Sequence, residues 1–194
     1  MFNGFENLHQ IDASNFDTSK VFSMIDMFEG CKSLTSIDVK KFNTNNIMYM
    51  SSKLSGYERI KYLDLSKFDT SGIDSLFNLF NGCMYLTSLD LGNFMTKKVK
   101  DMSNMFRNCT SLRYLNLNKF YTSNVIRINN MFSGCASLTS LLINNFDTSK
   151  VTTMEKMFNG CVSLISLNIS NFDTLNVVNM NMILKKVQCY LISI

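Results

Sequence analysis

The sequence predicts an α/β solenoid of seven right-handed 26-residue coils, with short parallel strands on one face and short helices or turns on the other. Three observations carry this. Phe recurs without exception at Phe16, Phe42, Phe68, Phe94, Phe120, Phe146 and Phe172. Thr follows two places later each time, from Thr18 and Thr44 through to Thr174. The cysteines stand at 31, 83, 109, 135, 161 and 189, so that 26 is their dominant separation. Fixed-period self-similarity is the signature of stacked repeats. Units begin at 1, 27, 53, 79, 105, 131 and 157. Residues 1–182 therefore form the repeat solenoid, and residues 183–194 form an out-of-register tail.

Each element of a unit has its own reason. Leu138, Leu141, Ile143, Phe146 and Thr148 read L-x-x-L-x-L-x-x-F-x-T, the skeleton of a leucine-rich repeat with Phe where Asn or Cys usually sits. The L-x-L step has period 2, a short strand with alternate side chains turned inward. The run Asn144-Asn145-Phe146-Asp147-Thr148-Ser149 supplies turn chemistry through short side chains that bond nearby backbone. Val151, Met154, Met157, Phe158 and Cys161 follow at spacings that suit a helical or 3₁₀ segment returning across the back. Gly30, Gly56, Gly82, Gly134 and Gly160, with Asn108 once, would end that segment in a left-handed conformation. One coil cannot bury its own apolar face, so the core is a continuous column. At about 4.8 Å per coil the rod is roughly 34 Å long.

Composition removes several function classes. With 46% hydrophobic and 18% charged residues, the chain can bury a core. No apolar run reaches the roughly 18–20 residues of a membrane helix. The +4 net charge falls in residues 101–194, too dilute for a nucleic-acid footprint. A single His, with no Pro or Trp, argues against histidine catalysis and His-rich metal sites.

Blocks such as Met157-Phe158-Asn159-Gly160-Cys161-Val162-Ser163-Leu164 and Asn145-Phe146-Asp147-Thr148-Ser149-Lys150-Val151 resemble the bacterial surface protein 26-residue repeat family, the BspA-like leucine-rich repeat surface proteins. The resemblance covers residues 1–182. It implies a cell-surface or secreted protein used for adhesion or host contact, with no enzymatic activity, no cofactor and no catalytic residue. The chain departs from the family pattern in three places. It opens in register at Met1-Phe2, without a signal peptide or capping unit. Lys53, Leu54 and Tyr57 replace Met, Phe and Cys in the third unit. The tail Val187–Ile194 looks like the start of a further coil. These departures leave two alternatives: an intracellular interaction scaffold in the cytoplasm, or a fragment or decayed copy of a longer repeat protein.

The candidate sites each have a structural reading beside the functional one. Cys83, Cys109, Cys135 and Cys161 fall on one inward line. Parallel Cβ vectors about 4.8 Å apart suit neither a disulfide nor tetrahedral zinc, so a reduced, buried ladder is expected. Cys189, in the tail, is the one candidate reactive thiol. Asp12, Asp38, Asp64 and Asp90 form an outward row, read as a solvated stripe because a flat row offers too few oxygens for calcium. Phe is expected to fill the corner of each coil, and Thr hydroxyls to bond along their column. His9, alone at a variable outward place, is read as non-catalytic. Asn108-Cys109-Thr110 and Asn168-Ile169-Ser170 match the glycosylation sequon. The expected partner-binding residues are Lys61, Tyr62, Asp64, Asp90, Arg113, Tyr114 and an exposed Leu142. Two basic–aromatic pairs recur there on an outward face otherwise rich in Ser and Thr, and Arg and Tyr are enriched at interface hot spots. The partner would be a protein or extracellular-matrix ligand, with further repeats of the same chain possible.

Overall fold

The structure, a computed structural model, describes residues 2–13, 15–24, 27, 30–39, 41–45, 47 and 59–192. Six places become three-residue strands: β1 Gln10–Asp12, β2 Ser36–Asp38, β3 Tyr114–Asn116, β4 Ser140–Leu142, β5 Ser166–Asn168 and β6 Tyr190–Ile192, whereas the Leu63-x-Leu65 and Leu89-x-Leu91 steps, expected to do the same, form no strand. Ile11, Leu115, Leu141 and Leu167 are buried at the strand centres, while the residues beside them lie nearer solvent. Pairing is parallel throughout, β1 with β2, β3 with β4 and β5 with β6. Gln10 faces Ser36 and Tyr114 faces Ser140, both 26 residues apart.

The back departs from expectation. Among the described residues it contains no helix. It is a run of turns whose backbone is tied from coil to coil. Parallel bridges link Ser75 to Asp101, Asp101 to Arg127, Arg127 to Thr153 and Thr153 to Asn179. Past these bridges, amide N–H groups alternate in direction. Those of Asn104, Phe106 and Asn108 donate to the next coil's Asn129, Met131 and Ser133 carbonyls at 2.8–3.0 Å. Those of Met105, Arg107 and Cys109 close turns onto the residue three places back. A helix would need every N–H for its own i→i−4 bonds. Left-handed residues enforce the alternation. Asn104 and Asn108 have φ of 57° and 59°, and Asn130 and Gly134 have 55° and 78°. Each sits third in its turn, where a type II turn demands positive φ. The left-handed expectation therefore holds at Gly30, Gly82, Asn108, Gly134 and Gly160. Gly56, like Lys53, Leu54 and Tyr57, lies outside the described residues.

The core is a set of columns. Phe80, Phe106, Phe132 and Phe158 stack with ring centroids 5.5–5.7 Å apart and planes within 16°. Phe94 and Phe120 stack at 6.4 Å in the corner column, where Phe42, Phe68 and Phe146 are also buried. The Thr column is tied differently from expectation, because its hydroxyls bond backbone rather than one another. Thr96 Oγ1 accepts the Tyr121 N–H at 2.7 Å and donates to the Tyr121 carbonyl at 3.0 Å. Thr18 and Thr70 do the same with Asn43 and Met95.

The tail continues the column. Phe158 and Gly160 donate to Ile183 and Lys185 with the spacing of the coils before them. Leu167 then faces Leu191, an offset of 24, so two residues are lost between Lys185 and Leu191.

Candidate functional site

The strand face is the surface the sequence singles out, and its residues divide into two kinds. At equivalent places in their coils, Lys61 and Arg113 turn their side chains to solvent while their carbonyls accept from Thr87 and Thr139 at 3.3 and 2.9 Å. The next place carries Tyr62 and Tyr114, 66% and 52% exposed, where other coils carry Gln10, Ser36, Ser88, Ser140 and Ser166. Tyr190, 82% exposed, faces Ser166 on the same line. The backbone beside each of these aromatics is tied to a neighbouring coil, through the Lys61, Arg113 and Ile165 carbonyls, which makes it a rigid placement for an interface anchor.

The Asp row is the other kind. Asp64 Oδ1 accepts the Ser66 N–H at 3.0 Å and Asp90 Oδ1 accepts the Gly92 N–H at 2.9 Å. Asn116 and Asn168 do the same for Asn118 and Ser170. Each closes an Asx turn, and at Asn116 and Asn168 that turn ends β3 and β5. Asp90 is exposed and Asp64 half-buried. The signal was available in the sequence, because the row exchanges Asp for Asn, which share only this turn-closing geometry. Leu142 breaks the row and is half-buried rather than exposed, opposite Asn116. With no side-chain oxygen there, the Asn144 N–H is taken by Asn118 Oδ1 of the preceding coil at 3.0 Å.

Tyr62, Asp64 and Asp90 come together. A hollow of about 210 Å³ is lined by these three with Ser66 and Asn93. A second, of about 460 Å³, runs from Tyr62 and Asp64 across Asp38 and Asp12. Tyr62 stands between them. Neither hollow includes Arg113, Tyr114 or Leu142.

The thiols are held more firmly than packing alone requires. Cys109, Cys135 and Cys161 each donate Sγ–H to the carbonyl of Phe80, Phe106 and Phe132, 29 residues earlier, at 3.1–3.2 Å. Cys31 donates likewise to Phe2 at 3.0 Å. Burial pushes the Cys83 and Cys161 thiols up to about 12, and those of Cys109 and Cys135 well above their ordinary value. Cys189 is half-buried, and burial raises it too. Among the described residues, no three His, Cys, Asp or Glu side chains gather to hold a metal ion. Among them also, no helix is long and apolar enough to cross a membrane. His9 Nδ1 lies 2.8 Å from the Asn7 carbonyl.

Short parallel strands that recur at a fixed place in the repeat, over a column of stacked apolar residues, define a leucine-rich repeat protein. A leucine-rich repeat protein from Eubacterium ventriosum shares the fold in its crystal structure. Its TM-score is 0.53 at 16% identity, over 92% of this chain and 45% of that one. This chain thus spans under half the length of that protein. A leucine-rich repeat protein from Bacteroides ovatus aligns over 98% of this chain and 76% of its own, at 16% identity and a TM-score of 0.21. No curated protein matches the sequence. The family described as "Mycoplasma protein of unknown function, DUF285" matches residues 1–83, 36–142 and 102–192, and the chain belongs to it. The family expectation drawn from the repeat blocks holds.

Proposed function

We propose that the chain is a non-catalytic binding or adhesion module of a leucine-rich repeat surface protein. Residues 1–182 are read as seven right-handed coils and residues 183–194 as a shortened addition. The module is displayed or secreted, and meets a protein or extracellular-matrix ligand through its strand face. One observation carries this: Tyr62 and Tyr114 stand exposed on an outward line that is Ser in the coils between and beside them. Lys61 and Arg113 flank them, Asp64 and Asp90 wall the hollow beside Tyr62, and Leu142 is the half-buried apolar edge. Aromatic and arginine anchors set on a rigid surface are the usual carriers of interface energy.

The test is surface plasmon resonance over immobilised collagen and laminin. Tyr62→Ser with Tyr114→Ser should weaken binding by about 1–2 kcal/mol and leave the thermal midpoint nearly unchanged. The back-face control is Lys150→Ser with Lys156→Asn, Asn being chosen because Lys156 has φ 54°. Loss of binding in the control but not in the tyrosine pair places the contact on the back.

A further inference from the structure

The place after each corner Phe has a local duty. Asp17, Asn43, Asp69, Asp147 and Asp173 stand there, and each side-chain oxygen accepts the N–H two residues on at 2.8–3.1 Å. These Asx turns carry the chain round the corner. The fourth and fifth units give the turn up. Met95 and Tyr121 take the place, 57% and 54% exposed, and neither carries an oxygen that can reach back to its own turn. The backbone is held without them, because Thr70 and Thr96 Oγ1 accept the Met95 and Tyr121 N–H groups at 2.7 Å. Two successive units therefore forgo a turn-closing bond and leave a large apolar side chain in water, a local rule broken with no structural gain.

Charge changes in the same two units. Residues 91–100 carry Lys97, Lys98 and Lys100, residues 117–126 carry Lys119, all exposed, and neither stretch has an acidic residue. The matching stretch nets −1 in the third unit, from Lys67, Asp69 and Asp74, and zero in the sixth, from Asp147 and Lys150. Among the described residues Lys97, Lys98 and Lys100 pair with no carboxylate, and Lys97 Nζ lies 5.7 Å from the Tyr121 ring centre. Lys119 lies beside Asp90 at Gly92. The result is a positive strip two coils wide, about 10 Å, with an apolar pair set in it and carboxylates on both borders.

We propose that this strip binds a short acidic peptide segment of a partner protein, with a large apolar residue of that segment seated on Met95 and Tyr121 and its carboxylates facing the lysines. Met and aromatic residues are enriched at interfaces, and the excess positive charge sets the sign of the partner. The apolar pair disfavours a sulfated polysaccharide, which brings charge with no side chain to cover it. The borders disfavour an anionic bilayer, which is wider than two coils and would press Asp69 and Asp147 against like charge. The proposal rests on no part of the strand-face reading.

The probe is the fluorescein-labelled peptide Glu-Asp-Glu-Phe-Glu-Asp-Glu, titrated with the full 194-residue chain and read by anisotropy. It should bind saturably and more weakly as salt is raised. The peptide with Ser in place of Phe should bind about tenfold more weakly or worse. Met95→Asp with Tyr121→Asp restores the residue the neighbouring units carry, so it should weaken binding by about tenfold or more while the thermal midpoint holds or rises. Lys97→Ser with Lys98→Asn should weaken binding too, whereas Lys20→Ser with Lys41→Ser, two exposed lysines of the first two units, should not. No saturable binding, equal affinity for the Ser peptide, unchanged affinity in the Met95 and Tyr121 variant, or a lowered midpoint in it overturns the proposal. Binding of heparin or of phosphatidylglycerol vesicles in place of the peptide, lost in that same variant, overturns it in favour of a polysaccharide or a bilayer.

Discussion

A buried thiol is a small hydrophobe with one weak donor. Here each donor between Cys109 and Cys161 has an assigned carbonyl. Burial away from water makes the fold hold its thiol protons more tightly than the unfolded chain does, Cys83 and Cys161 moving from 9.0 to about 12. A proton held more tightly in the folded state stabilises it fully below the unfolded pKa, and that contribution is lost as pH rises from 9 through 12. Above about pH 9, each such thiol removes roughly 1.4 kcal/mol of stability per pH unit. The urea midpoint should fall between about pH 8 and pH 10, and Cys83→Ser with Cys161→Ser should flatten the fall. Serine keeps a hydroxyl donor but does not titrate in this range. Parallel slopes for the two proteins would mean that the thiols ionise as readily inside the fold as outside it.

At the scale of elements, the Thr column joins coils through backbone that no strand ladder reaches. Replacing Thr122 by Val leaves the Asp147 N–H, held at 2.7 Å, without its acceptor. A part-buried donor so stranded costs about 1 kcal/mol. Thr139→Ala removes an exposed hydroxyl bonded to the Arg113 carbonyl at 2.9 Å, which water can replace, and should stay within about 0.5 kcal/mol. Equal guanidinium midpoints for the two variants would show that the column hydroxyls carry no stability. The strands and the Phe, Thr and Cys columns are legible in the sequence because period 26 and the L-x-L step both survive there. The back is not. Val151, Met154, Met157 and Phe158 have the spacing of a helix, but Lys156 at φ 54° interrupts it. Lysine, unlike glycine or asparagine, gives no sign of a left-handed position. The exposed tyrosines are visible as departures from a Ser background. The turn-closing role of Asp64 and Asp90 was masked by their charge, and the half-burial of Leu142 by the assumption that its place always faces water.

Whole-molecule behaviour follows from how short-ranged the ties are. The side-chain bonds between coils join residues 24–29 apart in sequence, so each unit is held by the one before and the one after. Phe120→Ala should cost about 3–5 kcal/mol, the usual range for truncating a buried aromatic. Its damage should be graded, as in an array coupled only to nearest neighbours. Native-state hydrogen exchange should show amides between residues 94 and 146 losing more protection than those of β1, β2, β5 and β6. Uniform loss along the chain would mean that the column opens as one cooperative block.

The constancy of those ties has a genetic corollary. Every residue in the column is defined by its place within a unit rather than by its number in the chain. Excision of 26 consecutive codons within residues 1–182 therefore rejoins two stretches that already match as neighbours. Excision of 25 or 27 would turn the Phe, Thr and Cys columns out of line for everything downstream. Unequal recombination between such units can shorten or lengthen the rod in whole coils without selection having to repair a junction. The length of the rod is thereby free to vary, while its cross-section is not.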